Sequence, residues 1–319
     1  MMDFTEQLKA MNRLSEGKRR FKDGLIDKWQ YIDEMWEIHS CLFDYSEFLA
    51  ETNISEISIS DNRVVMRFRD SEVKFLLANN DKRLAPLEAL NFGSYEQAEL
   101  EMQLKLIEPE FTVLDIGANF GWYAMHIGKY KPFAQILSFE PIPSTFKWLN
   151  ENIELNDFKN IKTFNFGFSD EEGTFDFYFE PSLSVNASLA NVSGNKEIQG
   201  IKCSVRKLDD FTEPGTTRVD FIKCDVEGAE LLVFKGGVEL IKRDCPVIFT
   251  EMLRKWTSKF NYHPNDIISF FKELGYSCFV QNNGKLKRFD LVNENTPETN
   301  YFFLHGIKHS RQISDFLEC

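Results

Sequence analysis

The stretch Val113-Leu114-Asp115-Ile116-Gly117-Ala118-Asn119-Phe120-Gly121 is a short apolar run that breaks into glycines, and the helical pattern Trp122-Tyr123-Ala124-Met125-His126-Ile127 follows it. A buried strand that turns sharply into a helix begins an α/β unit, and open sheets of this type bind ligands beyond the carboxyl ends of their strands. Gly117 and Gly121 suit the turn because they lack a Cβ, and they are expected to let the backbone approach a ligand. The spacing is G-x-x-x-G. A dinucleotide fingerprint needs G-x-G-x-x-G, but Asn119 and Trp122 stand at the required glycine positions, so a nicotinamide-dependent oxidoreductase is a remote alternative. No G-x-x-x-x-G-K-[ST] phosphate loop occurs.

Outward from this turn, β-rich runs alternate with helical patterns from Phe111 onward. FTVLDIG, AQILSFE, IKTFNFGF, RVDFIKCD, PVIFTE, YSCFVQ and NYFFLH read as strands; GWYAMHIGKY, PSTFKWLNENIEL, GAELLVFKGGVELIK and PNDIISFFKEL read as helices. The last strand follows a polar loop, NNGKLKRFDLVNENTPET, so it is expected to run antiparallel to its neighbour. The expectation for residues 91–319 is a Rossmann-like seven-stranded sheet with helices on both faces, the arrangement of S-adenosylmethionine methyltransferases. Residues 169–206 read as an insertion, and the small polar residues of 181–200 are expected to face the acceptor.

Residues 51–90 alternate apolar and polar positions around Asp61-Asn62 and Asp70-Ser71, which predicts a small antiparallel β element. Residues 1–50 carry Phe21, Leu25, Trp29, Ile32, Trp36 and Leu42 at helical spacing. That stripe is expected to be buried, either against the rest of the chain or as a homodimer interface.

Composition narrows the function classes. The 319 residues are 43% hydrophobic and 27% charged, values of an ordinary globular protein, and no apolar run approaches the roughly 18 residues that cross a bilayer. A formal charge of −13 would repel a phosphate backbone, so nucleic acid is not expected as a partner. The six scattered cysteines form no C-x-x-C pair and read as reduced thiols. With no apolar stretch of a secretory signal at the start, a cytoplasmic location is expected.

Three groups of acids mark the chemistry. Asp115 ends the first strand of the α/β region, where a carboxylate repels pyrophosphate and suits the ammonium of a methionine moiety. Glu140 ends the second strand, about 20 residues beyond the turn, where an acid can accept ribose hydroxyls. Asp225 ends strand DFIKC, Glu227 opens the helix after it, and Glu251 ends PVIFTE. Asp225 and Glu227 are the candidate general bases, with Glu251 assisting. Asp225 and Glu251 on adjacent strands also have the donor type for Mg²⁺, but a third protein ligand is not evident, so a metal-independent reaction is preferred. His126 lies inside a helical pattern and His263 precedes Pro264, positions that read as packing and helix start.

With these motifs in place the chain resembles the FkbM family of methyltransferases. The resemblance rests on Gly93-Ser94-Tyr95-Glu96, LDIGANFGWYA, FEPIPSTFKWLNENIELN, FSDEEG, LDDF, VDFIKCDVEGAELLVFKG, PVIFTE and LGYSCF, and it covers roughly residues 90–280. It implies O-methylation of a sugar, polysaccharide or natural-product hydroxyl by S-adenosylmethionine, with a small molecule or glycan as acceptor. It further implies cofactor contacts at Glu96, Asp115, Gly117, Asn119, Gly121 and Glu140, with Phe168 to Asp170 edging the adenine. A non-catalytic S-adenosylmethionine-binding protein is the alternative. Cys224 and Trp122 depart from the usual family residues, and the first 90 residues inherit little from the resemblance.

Overall fold

The computed structural model describes residues 13–79, 81–180, 183–188 and 199–318. Helices α1 (Arg13–Lys22), α2 (Lys28–His39) and α3 (Cys41–Phe48) lead into strands β1 (Ile54–Ser60), β2 (Arg63–Phe68) and β3 (Lys74–Leu76). These strands form an antiparallel sheet in that order. Helices α4 (Ala85–Phe92) and α5 (Gln97–Leu106) connect it to the main sheet.

The main sheet begins with β4 (Thr112–Ile116), α6 (Trp122–Tyr130), β5 (Gln135–Phe139), α7 (Pro143–Asn156) and β6 (Ile161–Phe164). Strands β7 (Gly167–Phe168), β8 (Gly173–Glu180), β9 (Leu183–Ser188) and β10 (Gln199–Arg206) form a separate sheet, ordered β7-β10-β8-β9. The chain then returns through β11 (Phe221–Cys224), α8 (Glu230–Lys235), α9 (Val238–Asp244), β12 (Val247–Glu251), α10 (Arg254–Thr257) and α11 (Pro264–Glu273). It closes with β13 (Tyr276–Asn282), β14 (Lys285–Arg288), β15 (Asn300–His305) and α12 (Ser310–Phe316).

The main sheet has the order β14-β13-β15-β12-β11-β4-β5-β6. Its five strands β6, β5, β4, β11 and β12 are mutually parallel, and β15 runs antiparallel to β12 and β13, as expected for the last strand. The parallel strands are covered on both faces, which is why VLDI, ILSF, FIKC and VIFT are buried throughout rather than alternating.

Three elements of residues 91–319 differ from the sequence expectation. The sheet has eight strands rather than seven, because the polar segment read as a loop contains β14. Asn283-Gly284, with φ of 47° and 75°, forms a two-residue turn that returns β13 into it. Lys285, Lys287 and Arg288 then stand exposed on the sheet edge, where charge discourages further strand pairing. IKTFNFGF is not one strand but two, since Asn165-Phe166 carries the chain from the main sheet to the insertion sheet. The helix expected over GAELLVFKGGVELIK breaks at Gly236-Gly237; a Cβ at Gly236 would stand 2.1 Å from the Ser169 carbonyl oxygen. Most of the loop expected to face the acceptor, 181–182 and 189–198, lies outside the described residues.

The β element docks on the first α/β unit. Phe68 and Phe75 pack their rings against Trp122 and His126 of α6 at centroid distances of 5.0 to 5.7 Å. Asn152 Oδ1 accepts from Leu76 N at 2.8 Å, and Asn156 Oδ1 accepts from Lys74 N at 2.7 Å. Two α7 amides therefore satisfy the free edge of β3 as another strand would.

The N-terminal stripe departs most from expectation. Trp29 is 71% exposed and Trp36 59%, and no residue of α2 is buried. Helices α1 and α2 hold each other through the Phe21–Tyr31 ring stack and the Arg20–Glu34 ion pair, while the core closes over α4 and α5 instead. The apolar side chains are thus not buried against the described residues of their own chain. Among those residues no helix is long and apolar enough to cross a membrane.

Candidate active-site cleft

A cleft, open at its mouth, lies beyond the carboxyl ends of β4, β5, β11 and β12. It brings together Glu96, Gly117, Asn119, Glu140, Asp225, Glu227 and Glu251 from segments spread over about half of the chain. Asp115, Gly121, Phe168 and Asp170 lie off its lining.

The turn after β4 is built by its neighbours. Gly117 N and Ala118 N donate to the Phe139 carbonyl at 3.0 and 2.9 Å, which ties the turn to the end of β5. Gly117 has φ of 74°, and a Cβ there would stand 1.9 Å from the Asp225 carbonyl oxygen. Glycine is required there because the Gly117 and Asp225 loops touch. At Gly121 a Cβ would meet Leu149 Cδ1 at 2.7 Å, so that glycine serves the packing of α6 on α7.

Glu140 closes the turn from the other side. Its Oε2 accepts from Asn119 N at 3.0 Å and its Oε1 from Ile142 N at 2.9 Å. Burial pushes this carboxyl up to about 7 against the pull of both amides. Each carboxylate oxygen can accept more than one hydrogen bond, so the clip leaves acceptor capacity toward the cleft.

Asp115 sits behind the turn, 1% exposed, with Lys223 Nζ 3.4 Å from its Oδ1. Lys223, whose side chain is 4% exposed, donates to the Gly117 carbonyl at 2.7 Å and lies 3.8 Å from Asp225 Oδ2. Burial by itself pulls this ammonium down, but Asp115 and Asp225 more than offset that, and it is held above its ordinary value. Burial raises the Asp115 carboxyl, with the same lysine opposing. Lys223 was missed by sequence reasoning; its signal is a lone charge at the centre of FIKC.

The segment after β11 carries Asp225, Glu227 and Gly228, with φ of 57° at Glu227 and 99° at Gly228. Glu230 shapes it by accepting from Val226 N at 3.1 Å and Gly228 N at 3.0 Å. Tyr262 steadies the same loop, its hydroxyl donating to the Gly228 carbonyl at 2.7 Å. A Cβ on Gly228 would meet the Trp256 backbone at 2.8 Å, so α10 packs directly on the turn. Burial, then the negative charge of Asp225, pushes the carboxyls of Glu227 and Glu251 well above their ordinary values.

Glu96 enters from the start of α5 with φ of 43° and accepts from the Tyr123 hydroxyl at 2.6 Å. Burial raises it to about 7. Phe168 is buried among Phe139, Phe166 and Phe211, and Asp170 borders a separate surface groove. His126 is buried in the aromatic packing of α6, pulled down to about 4 by burial, and His263 caps α11. Among the described residues no three His, Cys, Asp or Glu side chains are grouped to hold a metal.

Among the described residues, the buried cleft acceptors Asn119 Oδ1 and Asp225 Oδ1 meet no hydrogen-bond donor. A ligand that presents donors, such as ribose hydroxyls or an ammonium, satisfies both kinds of group.

A mixed sheet with two reversed strands, β14 and β15, and an acid-lined cleft over its parallel strand ends defines a Rossmann-like α/β protein of the methyltransferase type. The Methyltransferase FkbM domain matches residues 115–278, just over half of the chain, and the chain belongs to that family. It is similar to the 2-O-methyltransferase NoeI of Sinorhizobium fredii, 31% identical over 160 residues, covering 46% of this chain and 65% of that protein. It is also similar to the hexuronic acid methyltransferase AglP of Haloferax volcanii, 30% identical over 142 residues, covering 44% and 56%. Of solved structures, the methyltransferase FkbM of Methylobacillus flagellatus aligns with 67% of this chain and 52% of its own at 17% identity and a TM-score of 0.40. The chain spans between half and two thirds of the length of the curated relatives named here.

Proposed function

We propose that the protein transfers the methyl group of S-adenosylmethionine to a hydroxyl oxygen of a sugar, polysaccharide or natural-product acceptor. The observation that carries this reading is the Glu140 clip. It sets a carboxylate with spare acceptor capacity at the end of β5, beside the two unpartnered acceptors of the Gly117 and Asp225 loops. Membership of the FkbM family supports the methyl donor, and the names of NoeI and AglP support an oxygen nucleophile on a sugar.

In this reading Glu140 holds the ribose hydroxyls, while Asn119 and Asp225 accept from the methionine ammonium. Bound S-adenosylmethionine supplies an electrophilic methyl on a sulfonium, and the chain's part is to orient the acceptor and manage its proton. Glu227 and Glu251 suit the latter task, because burial beside Asp225 raises both carboxyls, and a carboxylate of raised pKa is the stronger base once ionised. Asp225 raises both carboxyls by its charge and shares the Lys223 cation.

The test is incubation with methyl-labelled donor and paired acceptors, uronic acids and neutral sugars, read by mass spectrometry. Label on a carbohydrate oxygen is the expected result. Tight donor binding with no labelled product from the sugars or from a cell extract would favour the non-catalytic alternative.

A further inference from the structure

The cleft is lined by five carboxyl groups, Glu96, Glu140, Asp225, Glu227 and Glu251. That lining suits the ammonium and sulfonium of a methyl donor but opposes the donor's own carboxylate, which needs a cation. Among the described residues the lining holds two, Lys223 and Arg83. Lys223 is already committed to the Gly117 carbonyl, Asp115 and Asp225.

Arg83 is placed differently. Its backbone is fixed, since Asp81 Oδ1 accepts from Arg83 N at 2.9 Å and the next residues, Leu84 and Ala85, are buried at the start of α4. Its side chain is 57% exposed and approaches Glu88, with Nε 3.5 Å from the carboxylate. The guanidinium also lies close enough to Tyr95, on the cleft wall, for its charge to act on that phenol. A fixed backbone, a fork of donors and an acid-lined cavity beside it make a carboxylate receptor.

We infer that Arg83 receives a ligand carboxylate at the mouth of the cleft, in first place the methionine carboxylate of the donor; this rests on the methyl-donor reading above. A uronic acid acceptor presents the same chemistry from a second source. The assignment gives a role in ligand binding to the segment before α4, which precedes the residues 115–278 matched by the family.

Calorimetric titration of the full chain with S-adenosylmethionine and with its decarboxylated analogue tests this. Arg83→Ala is expected to weaken S-adenosylmethionine about 10- to 100-fold, the loss of one charged hydrogen-bonding partner, and to leave the decarboxylated form unchanged or tighter. Arg83→Lys retains the charge without the fork and falls between. If Arg83→Ala leaves the donor affinity intact, donor-loaded protein is titrated with p-nitrophenyl glucuronide and glucoside; selective loss of the glucuronide assigns the carboxylate to the acceptor. No change in either arm overturns the inference. A wild-type chain that binds neither donor form removes the methyl-donor reading, and the Arg83 assignment falls with it.

Discussion

Glu140→Ala removes a carboxylate that clips two loops and faces the cleft, and pH separates the two roles. Burial raises the folded-state pKa from 4.5 to about 7, so the folded chain binds this proton more tightly than the unfolded chain. The stabilisation is fully present below the unfolded value and fades as pH rises through about 7. Integrated over the titration, Glu140 lowers stability by about 1 kcal/mol at pH 5 and about 3 kcal/mol at pH 8 relative to strong acid, a difference of about 2 kcal/mol. The alanine variant lacks that titration but leaves the amides of Asn119 and Ile142 without an acceptor, at about 1–3 kcal/mol each. The variant's deficit relative to wild type is therefore expected to be larger at pH 5 than at pH 8, by about 2 kcal/mol. Urea denaturation of both proteins at the two pH values measures it. Donor affinity moves the other way: wild type should bind S-adenosylmethionine more tightly as Glu140 ionises between pH 6 and 8, and the variant should lose that rise. A stability deficit that is constant or grows toward pH 8 would refute the buried-clip argument.

Three further outcomes follow from the same geometry. Gly117→Ala should cost at least about 2 kcal/mol, because the methyl meets the Asp225 carbonyl in a left-handed backbone; a variant that melts with wild type would disprove the loop contact. Glu227→Gln should lower turnover while leaving donor affinity nearly unchanged, Asp225→Asn should weaken donor binding as well as turnover, and activity should survive excess chelator. Activity abolished by chelation and restored by Mg²⁺ would instead make the acids metal ligands. The exposed N-terminal helices should pair with a second copy, since α1 is basic through Arg13, Lys18, Arg19, Arg20 and Lys22, whereas α2 and α3 carry Asp33, Glu34, Glu37, Asp44 and Glu47. Sedimentation should show a dimer that Trp29→Glu with Trp36→Glu dissociates, and a wild-type monomer at calorimetric concentrations would end that reading.

The fold was legible where local pattern carries it. Short apolar runs located every strand of the parallel core, and a polar connection before NYFFLH revealed its reversal. The eighth strand was legible too, through Asn283-Gly284, but the surrounding Lys and Arg residues disguised an edge strand as a loop. The division of IKTFNFGF was not legible, because β7 is created by its partner β10, about 40 residues on, rather than by its own two residues.

The cleft divides along the same line. Strand-end position identified Glu140, Asp225 and Glu251, since a carboxyl end points to the cleft whatever its neighbours are. Asp115 is one residue short of its strand end, and there the cross-strand register decides. Its partner on β11 is Lys223, and side chains of paired positions project to the same face, so the two charges meet inside the sheet rather than in the cleft. Register between segments more than 100 residues apart is not written in either one. What each segment does show is an isolated charge inside an apolar run, and two such charges of opposite sign are a reason to pair the strands before assigning either residue to a ligand. Lys223 thereby neutralises Asp115, bonds the Gly117 carbonyl and stands beside Asp225, so the cation that lets the sheet bury one acid also fixes the two loops between which the donor is proposed to lie.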